Sequence, residues 1–116
     1  MTFLPPLSTR IDWARAGQSA LEDVARGLDP DDVGRRSALP GWTRGHVLTH
    51  LARNADGMVN LLDWARTGVV TPAYPSLAQR DADIETGAPR ALAEQLADVR
   101  ASSGRFFEAA RTANAG

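Results

Sequence analysis

Apolar residues recur at helical spacing in three long stretches of this chain, and nowhere do they alternate as a strand hairpin would. The first stretch carries Ile11, Ala14, Leu21, Val24 and Leu28 on one stripe. Its start is predicted at Ser8 or Thr9, with Thr9 as cap and Asp12 in the first turn. Its stop is predicted at Asp29-Pro30, since the residue before a proline disfavours the α region. Residues 29–41 read as a polar connection with room for a short helical turn around Asp31 to Arg36.

The second stretch is better marked. Thr43 is a natural N-cap, Trp42 before it is placed to staple onto Val47, and Gly68 suits a left-handed stop. Val47, Leu51, Met58, Leu62 and Ala65 form its stripe, which Leu48, Ala55 and Val59 widen. Residues 69–75, with Pro72 and Pro75, cannot be helical and are expected to cross the bundle in extended form. Ser76 then caps a short helix that runs through Asp81 and Ile84 to Gly87. Pro89 suits the first turn of a last helix, with Leu92, Leu96, Val99, Phe106 and Ala110 on its apolar face. The final residues 112–116 read as frayed.

The expected fold is therefore all-α, an up-down helical bundle with three long helices and one short one. Stripes this wide usually face a fourth long helix, and none is visible. A single domain, 1–116, that lacks one wall is the architecture this pattern predicts, with its exposed apolar face open to self-association.

Composition narrows the chemistry. The 116 residues are 43% hydrophobic and 23% charged, ordinary globular usage. There is no cysteine, so disulfides, thiolate zinc sites and a cysteine nucleophile are excluded. All 13 basic residues are arginine, which excludes Schiff-base lysines and a P-loop lysine. The net charge of -1 and the scatter of arginines among acids argue against nucleic acid as a partner. No apolar run approaches the ~20 residues of a membrane span. Met1 to Ser8 lacks the basic and apolar regions of a secretory signal, so a cytoplasmic location is expected.

Two histidines, His46 and His50, lie four apart on the second helix. At 100° per residue from Val47, the stripe centre lies near +50°, with Asn54 at about -20°, His50 at about -60° and His46 at about -100°. His50 and Asn54 thus face an interhelical crevice, where bundles place metal and cofactor sites, whereas His46 turns toward solvent. His50 reads either as a metal ligand or as a hydrogen-bonded core-edge histidine. Asn54 reads as a ligand contact or as an interhelical hydrogen bond. Arg80 could clamp a carboxylate or pair with Asp81, Asp83 or Asp12. Tyr74, the only tyrosine, could bond into the crevice or anchor the crossing segment. Trp13, Trp42 and Trp64 read as packing residues, and Asp31-Asp32 and Arg35-Arg36 as solvated charge runs.

Leu39-Pro-Gly-Trp-Thr-Arg-Gly-His-Val-Leu-Thr-His-Leu-Ala-Arg-Asn-Ala-Asp56 resembles the metal-binding N-terminal domain of the mycothiol-dependent maleylpyruvate isomerases. The likeness continues through Asn60-Leu-Leu-Asp-Trp-Ala-Arg-Thr-Gly68, Thr71-Pro-Ala-Tyr74 and the segment from Ser76 to Gly87. The Gly-Trp-Thr-Arg element is shared with the wider DinB-like superfamily of four-helix bundles. The resemblance implies a divalent metal, usually zinc, with His50 as its first ligand, and an active-site arginine at Arg80. It also implies mycothiol as thiol cofactor, for which Asn54 and Tyr74 are the candidate contacts.

The family's other two ligands are a Glu and a His four apart on the fourth helix, and no Glu-x-x-x-His occurs here. A catalytic zinc wants about three protein ligands and an open position. The resemblance therefore implies an incomplete site in a domain truncated at its C-terminal end and inactive alone. The chemistry implied is conversion of maleylpyruvate to fumarylpyruvate in gentisate catabolism, by addition and elimination of a metal-activated thiolate. Two alternatives stand beside it: a DinB-like thiol-dependent S-transferase acting on another electrophile, and a non-catalytic helical interaction module.

Overall fold

In the computed structural model, which describes residues 5–115, the chain is helical throughout its regular structure. Helix α1 spans Leu7–Arg26, α2 Arg44–Thr67, α3 Leu77–Gly87 and α4 Leu92–Ala115, with a 3-10 turn at Pro30–Gly34 between α1 and α2. Three long helices and one short one are thus present, as the apolar spacing predicts. Among the described residues no helix is long and apolar enough to cross a membrane. Of the leader reading on Met1 to Ser8, residues 1–4 lie outside the described residues.

Helix α2 is bounded by local chemistry. The Thr43 hydroxyl accepts from the His46 amide at 3.3 Å, and Gly68 closes the helix at φ 74°. Ser76 caps α3 by accepting from the Gln79 amide at 3.0 Å. Residues 69–75 form the expected non-helical crossing, tied to α2 where Asn60 Nδ2 donates to the Ala73 carbonyl at 3.2 Å.

Several boundaries differ from expectation. Helix α1 starts at Leu7 with Pro6 at the cap position and no side-chain cap, so neither Thr9 nor Asp12 has the role expected of it. It ends at Gly27, before Asp29-Pro30. Pro89 lies in the α3–α4 turn, because α4 begins only at Leu92. The end expected to fray is helical to Ala115, and Gly116 lies outside the described residues.

The core lies between α2 and α4. Val33, Leu48, Ala52, Leu92 and Val99 form it, with Leu28 and Leu96 packed against it. The buried positions of α2 are Gly45, Leu48, Thr49, Ala52 and Gly57. They lie beside the stripe centred on Val47, Leu51, Met58 and Leu62, which is only half-buried, and Met58 is exposed. Small residues win this face because they let α4 and the α3–α4 turn approach closely. The larger stripe borders an open groove between α1, α2 and α4, lined by Leu51, Asn54, Met58 and Phe106. Helix α1 is the loosest wall: of its residues only Ala25 is buried, and Val24 is 70% exposed.

Asp31-Asp32 is not a solvated pair. Asp32 is 7% exposed, accepts the Asp29 amide at 2.7 Å, and pairs with Arg35 at 3.0 Å and Arg44 at 3.2 Å. It therefore fastens the connection to the start of α2.

Gly45 sets the closest approach. A Cβ built there would lie 2.1 Å from the Ala88 carbonyl oxygen and 3.0 Å from Val33 Cγ1. Backbone cannot yield cheaply, so Gly45→Ala is expected to cost about 2–3 kcal/mol of stability despite the better helix propensity of alanine. Gly17, also helical, has open space around its Cβ position. Gly17→Ala is expected to stabilise by about 0.5–1 kcal/mol. Chemical denaturation of both variants checks the contrast.

Candidate functional site

One face of α2 is laid out in turns. Trp42, His46, His50 and Gly57 succeed one another along it, and α3 and the crossing segment cover parts of it.

His46 is fastened first. Its Nδ1 accepts from the Thr43 amide at 3.1 Å and lies 2.8 Å from the Thr43 hydroxyl, while Nε2 faces Glu85 Oε2 of α3 at 3.1 Å. With Nδ1 acting as acceptor, Nε2 carries the proton and donates to Glu85. The helix wheel turned His46 toward solvent, but its side chain is only 13% exposed. Capping and the α3 carboxylate draw it inward, which a wheel of α2 alone cannot register.

His50 stands one turn on, and its ring partner is Arg80. Arg80 Nη2 lies 3.3 Å from His50 Nδ1, while Arg80 Nη1 donates to the neighbouring Asp81 at 2.8 Å. The salt-bridge reading of Arg80 is realised with the exposed Asp81, and the second arm of the guanidinium rests on the His50 ring. A guanidinium can only donate, so Nδ1 accepts and Nε2 holds the proton of the neutral ring. Burial, and then the Arg80 charge, hold the His50 pKa below its ordinary value of 6.5. Both effects favour the neutral ring.

Trp42 belongs to this face as well. Its ring stacks on His46 at 6.0 Å between centroids and lies tilted against His50 at 5.5 Å. The packing role expected of Trp42 thus falls on two imidazoles. The spacing of four and eight residues from Trp42 to the histidines was the signal that could have placed it here.

Tyr74 and Asn54 are less closely gathered. A Cβ on Gly57 would meet the Tyr74 ring at 3.3 Å, so the tyrosine anchors the crossing segment on α2. Gly57 is seven residues past His50, about 10 Å along the helix. Asn54 is exposed at the rim of the groove between α1, α2 and α4, a cavity of about 330 Å³. Among the described residues it makes no side-chain hydrogen bond, so the expected interhelical bond is not formed. His50 and Arg80 are in contact, Tyr74 shares their helix face two turns away, and Asn54 opens onto a different space.

A cavity of about 590 Å³ is bordered by Val33, Thr43, His46, Glu85, Pro89 and Arg90. It contains none of the four candidates.

The donor set can be tested against the divalent metal that the resemblance implies. The nearest charged partner of His50 is a cation on its Nδ1. Among the described residues no group of three His, Cys, Asp or Glu side chains could hold a metal ion. One imidazole falls short of the three ligands a zinc centre needs. The residues of this chain taken alone therefore do not fit the metal.

A polar seam missed by sequence reasoning runs between α2 and α4 beneath this face. Gln95, fully buried, accepts from Thr49 at 2.9 Å and from Arg90 at 3.1 Å, and donates to the carbonyls of Gly87 at 2.7 Å and Ala88 at 3.1 Å. Asp98 continues the seam, taking Arg53 on one oxygen at 2.5 Å and Arg90 on the other at 2.9 Å. Burial pushes the Asp98 pKa up. The Arg90 hydrogen bond, the Arg53 and Arg90 charges and the Ser102 hydrogen bond together outweigh it and leave the pKa below the ordinary 3.8.

A family described as Mycothiol maleylpyruvate isomerase N-terminal domain matches residues 14–116. The crystal structure of the mycothiol-dependent maleylpyruvate isomerase superposes at a TM-score of 0.90 with 35% identity. A histidine-to-alanine mutant of that enzyme gives 0.89 and 34%. In each case 96% of this chain is covered and 47% of the other, so the chain spans about half the length of these enzymes. No curated protein matches the chain.

Proposed function

We propose, because this chain belongs to the mycothiol maleylpyruvate isomerase N-terminal domain family, that it supplies one wall of the active site in a mycothiol-dependent cis–trans isomerisation of maleylpyruvate. The observation that carries this reading is the contact of Arg80 with the neutral His50 ring, made between α2 and α3 on a partly open helix face.

In the proposed reaction a thiolate sulfur adds to the alkene, and the π electrons move onto the neighbouring keto oxygen as an enolate. The former double bond rotates as a single bond. Collapse of the enolate then expels the thiolate and leaves the trans alkene, with no atom gained or lost. This chain has no cysteine, which fits a nucleophile brought as mycothiol.

Arg80 is assigned to the enolate or a flanking carboxylate. A guanidinium placed where charge develops stabilises it, and Arg80 can exchange the uncharged imidazole for that partner. Tyr74, which shares the helix face of His50, is assigned to the thiol cofactor; Asn54, whose amide is free of protein partners among the described residues, is assigned to it only where the cofactor extends into the groove between α1, α2 and α4. His50 is assigned as this chain's one donor to a divalent metal such as zinc, its ring lone pair being free for the metal only once Arg80 has turned from the imidazole to its anionic partner, and the other donors come from outside the chain. The exposed edge of Met58, Leu61 and Trp64 on α2 is where the rest of such an enzyme, or a second copy, would pack. A thiol cofactor also favours the cytoplasm, where thiols are kept reduced.

Zinc retention tests the assignment of His50. After dialysis the chain alone is expected to hold far less than stoichiometric zinc. A fusion in which it replaces the matching half of the solved isomerase is expected to hold a full equivalent and to lose it with His50→Ala. Stoichiometric zinc on the isolated chain that survives His50→Ala would overturn the assignment.

A further inference from the structure

Among the described residues the His50 ring has one hydrogen-bond partner, and it is the residue that the proposed reaction calls away. Arg80 Nη2 donates to His50 Nδ1 at 3.3 Å, a long bond, while its other arm is drawn to Asp81 at 2.8 Å. An imidazole turns about two bonds, the second with a broad and roughly two-fold preference, so one such contact does not hold the ring. When Arg80 turns to an anionic partner, another group has to keep the imidazole from swinging.

Trp42 is placed to do this. Its ring lies 5.5 Å from that of His50 between centroids, tilted by 51°, a separation at which aromatic rings attract with a preferred geometry. The indole is itself held. His46 stacks on it within 17° of parallel at 6.0 Å, and both nitrogens of His46 are engaged, by the Thr43 amide at 3.1 Å and by Glu85 at 3.1 Å. The Trp42 main chain is fixed as well. Its N–H donates to the Leu39 carbonyl at 3.2 Å, and its carbonyl accepts from the Ser37 amide at 3.0 Å and the Ser37 hydroxyl at 2.8 Å. Contacts thus run from Glu85 on α3 through His46 and Trp42 to His50, and none of them passes through Arg80. Trp42 also stands outside the α2–α4 core, so packing there does not account for an indole at this position.

We propose that Trp42 is a positioning residue for His50: backed by His46, it holds the imidazole in one orientation whether Arg80 rests on the ring or has turned to an anion. A reactive ring is useful only when its own rotamer is locked by its surroundings. The effect on turnover rests on the isomerase reading above; the orientation itself rests on the ring contacts alone.

Nuclear magnetic resonance relaxation of the His50 ring C–H groups in the full chain tests the orientation. The ring is expected to be ordered in the parent and to stay so in Arg80→Ala, with its cross-peaks to the Trp42 indole retained. Adding Trp42→Leu to Arg80→Ala is expected to drop the ring order parameter below about 0.6, the flexible range, while adding Trp42→Phe keeps it above. A tryptophan that only adds stability would lower the denaturation midpoint and leave the His50 ring ordered in the folded protein. A ring that loosens in Arg80→Ala with Trp42 present, or stays ordered in the Trp42→Leu double variant, would overturn the proposal. In the fusion with the other half of the solved isomerase, Trp42→Leu is expected to lower kcat about 10–100-fold, the usual loss when a group that orients an active-site histidine is removed. KM should change little, and Trp42→Phe should restore most of the rate. An active fusion indifferent to Trp42→Leu would also overturn the proposal. An inactive fusion would overturn the isomerase reading instead, and the ring measurement would still decide the role of Trp42.

Discussion

Gln95→Leu is expected to remove about 4 kcal/mol of stability, a large share of the 5–15 kcal/mol typical of a small domain. Leucine fills most of the volume but makes no hydrogen bond. The Gly87 and Ala88 carbonyls lose their donor, and Thr49 and Arg90 lose their acceptor. Each buried polar group left unpaired costs about 1–3 kcal/mol. Part is recovered because Arg90 keeps Asp98 and its own bond to the Gly87 carbonyl at 3.0 Å. Chemical denaturation measures the loss, and a midpoint equivalent to less than about 1 kcal/mol from the parent would show that the seam relaxes around the change. Thr49→Val removes a single bond of the same network and is expected to cost far less.

The ends of the elements were legible wherever one residue decides them. Thr43, Ser76 and Gly68 act within a single turn, so their type and position suffice. The start of α1 was misread because Pro6 and Leu7 begin the helix without a side-chain cap, leaving Thr9 inside it. Which face of α2 is buried was misread for a different reason. Hydrophobic size favoured Val47, Leu51 and Met58, while the fold selects Gly45, Thr49 and Ala52 for close approach.

The site divides in the same way. His50 could be preferred over His46 from one helix and a motif, and its contact with Arg80, 30 residues away, follows from how α3 lies on α2. Gln95, Arg90 and Asp98 carry no motif. Their roles rest on partners such as Thr49 and Arg53, 46 and 45 residues from the groups they bind. The same long-range pairing explains Asp32: the local sequence reads as a solvated acidic run, but Arg44 reaches back to it from the start of α2.

The second large effect concerns catalysis. In the fusion of this chain with the complementary half of the solved isomerase, Arg80→Ala is expected to lower turnover of maleylpyruvate about 10²–10³-fold, the usual loss when a donor to developing negative charge is removed. His50→Ala is expected to abolish it, since the site would lose its one donor from this half. Stability should change little in either variant, because Arg80 and His50 lie outside the α2–α4 core.

The most direct measurement is mycothiol-dependent conversion of maleylpyruvate to fumarylpyruvate by that fusion, with the isolated chain and the two variants alongside. The account predicts turnover by the fusion, none by the isolated chain, and losses confined to thiol-dependent turnover in folded His50→Ala and Arg80→Ala proteins. A folded fusion that is inactive, or one whose turnover survives both substitutions, would contradict it.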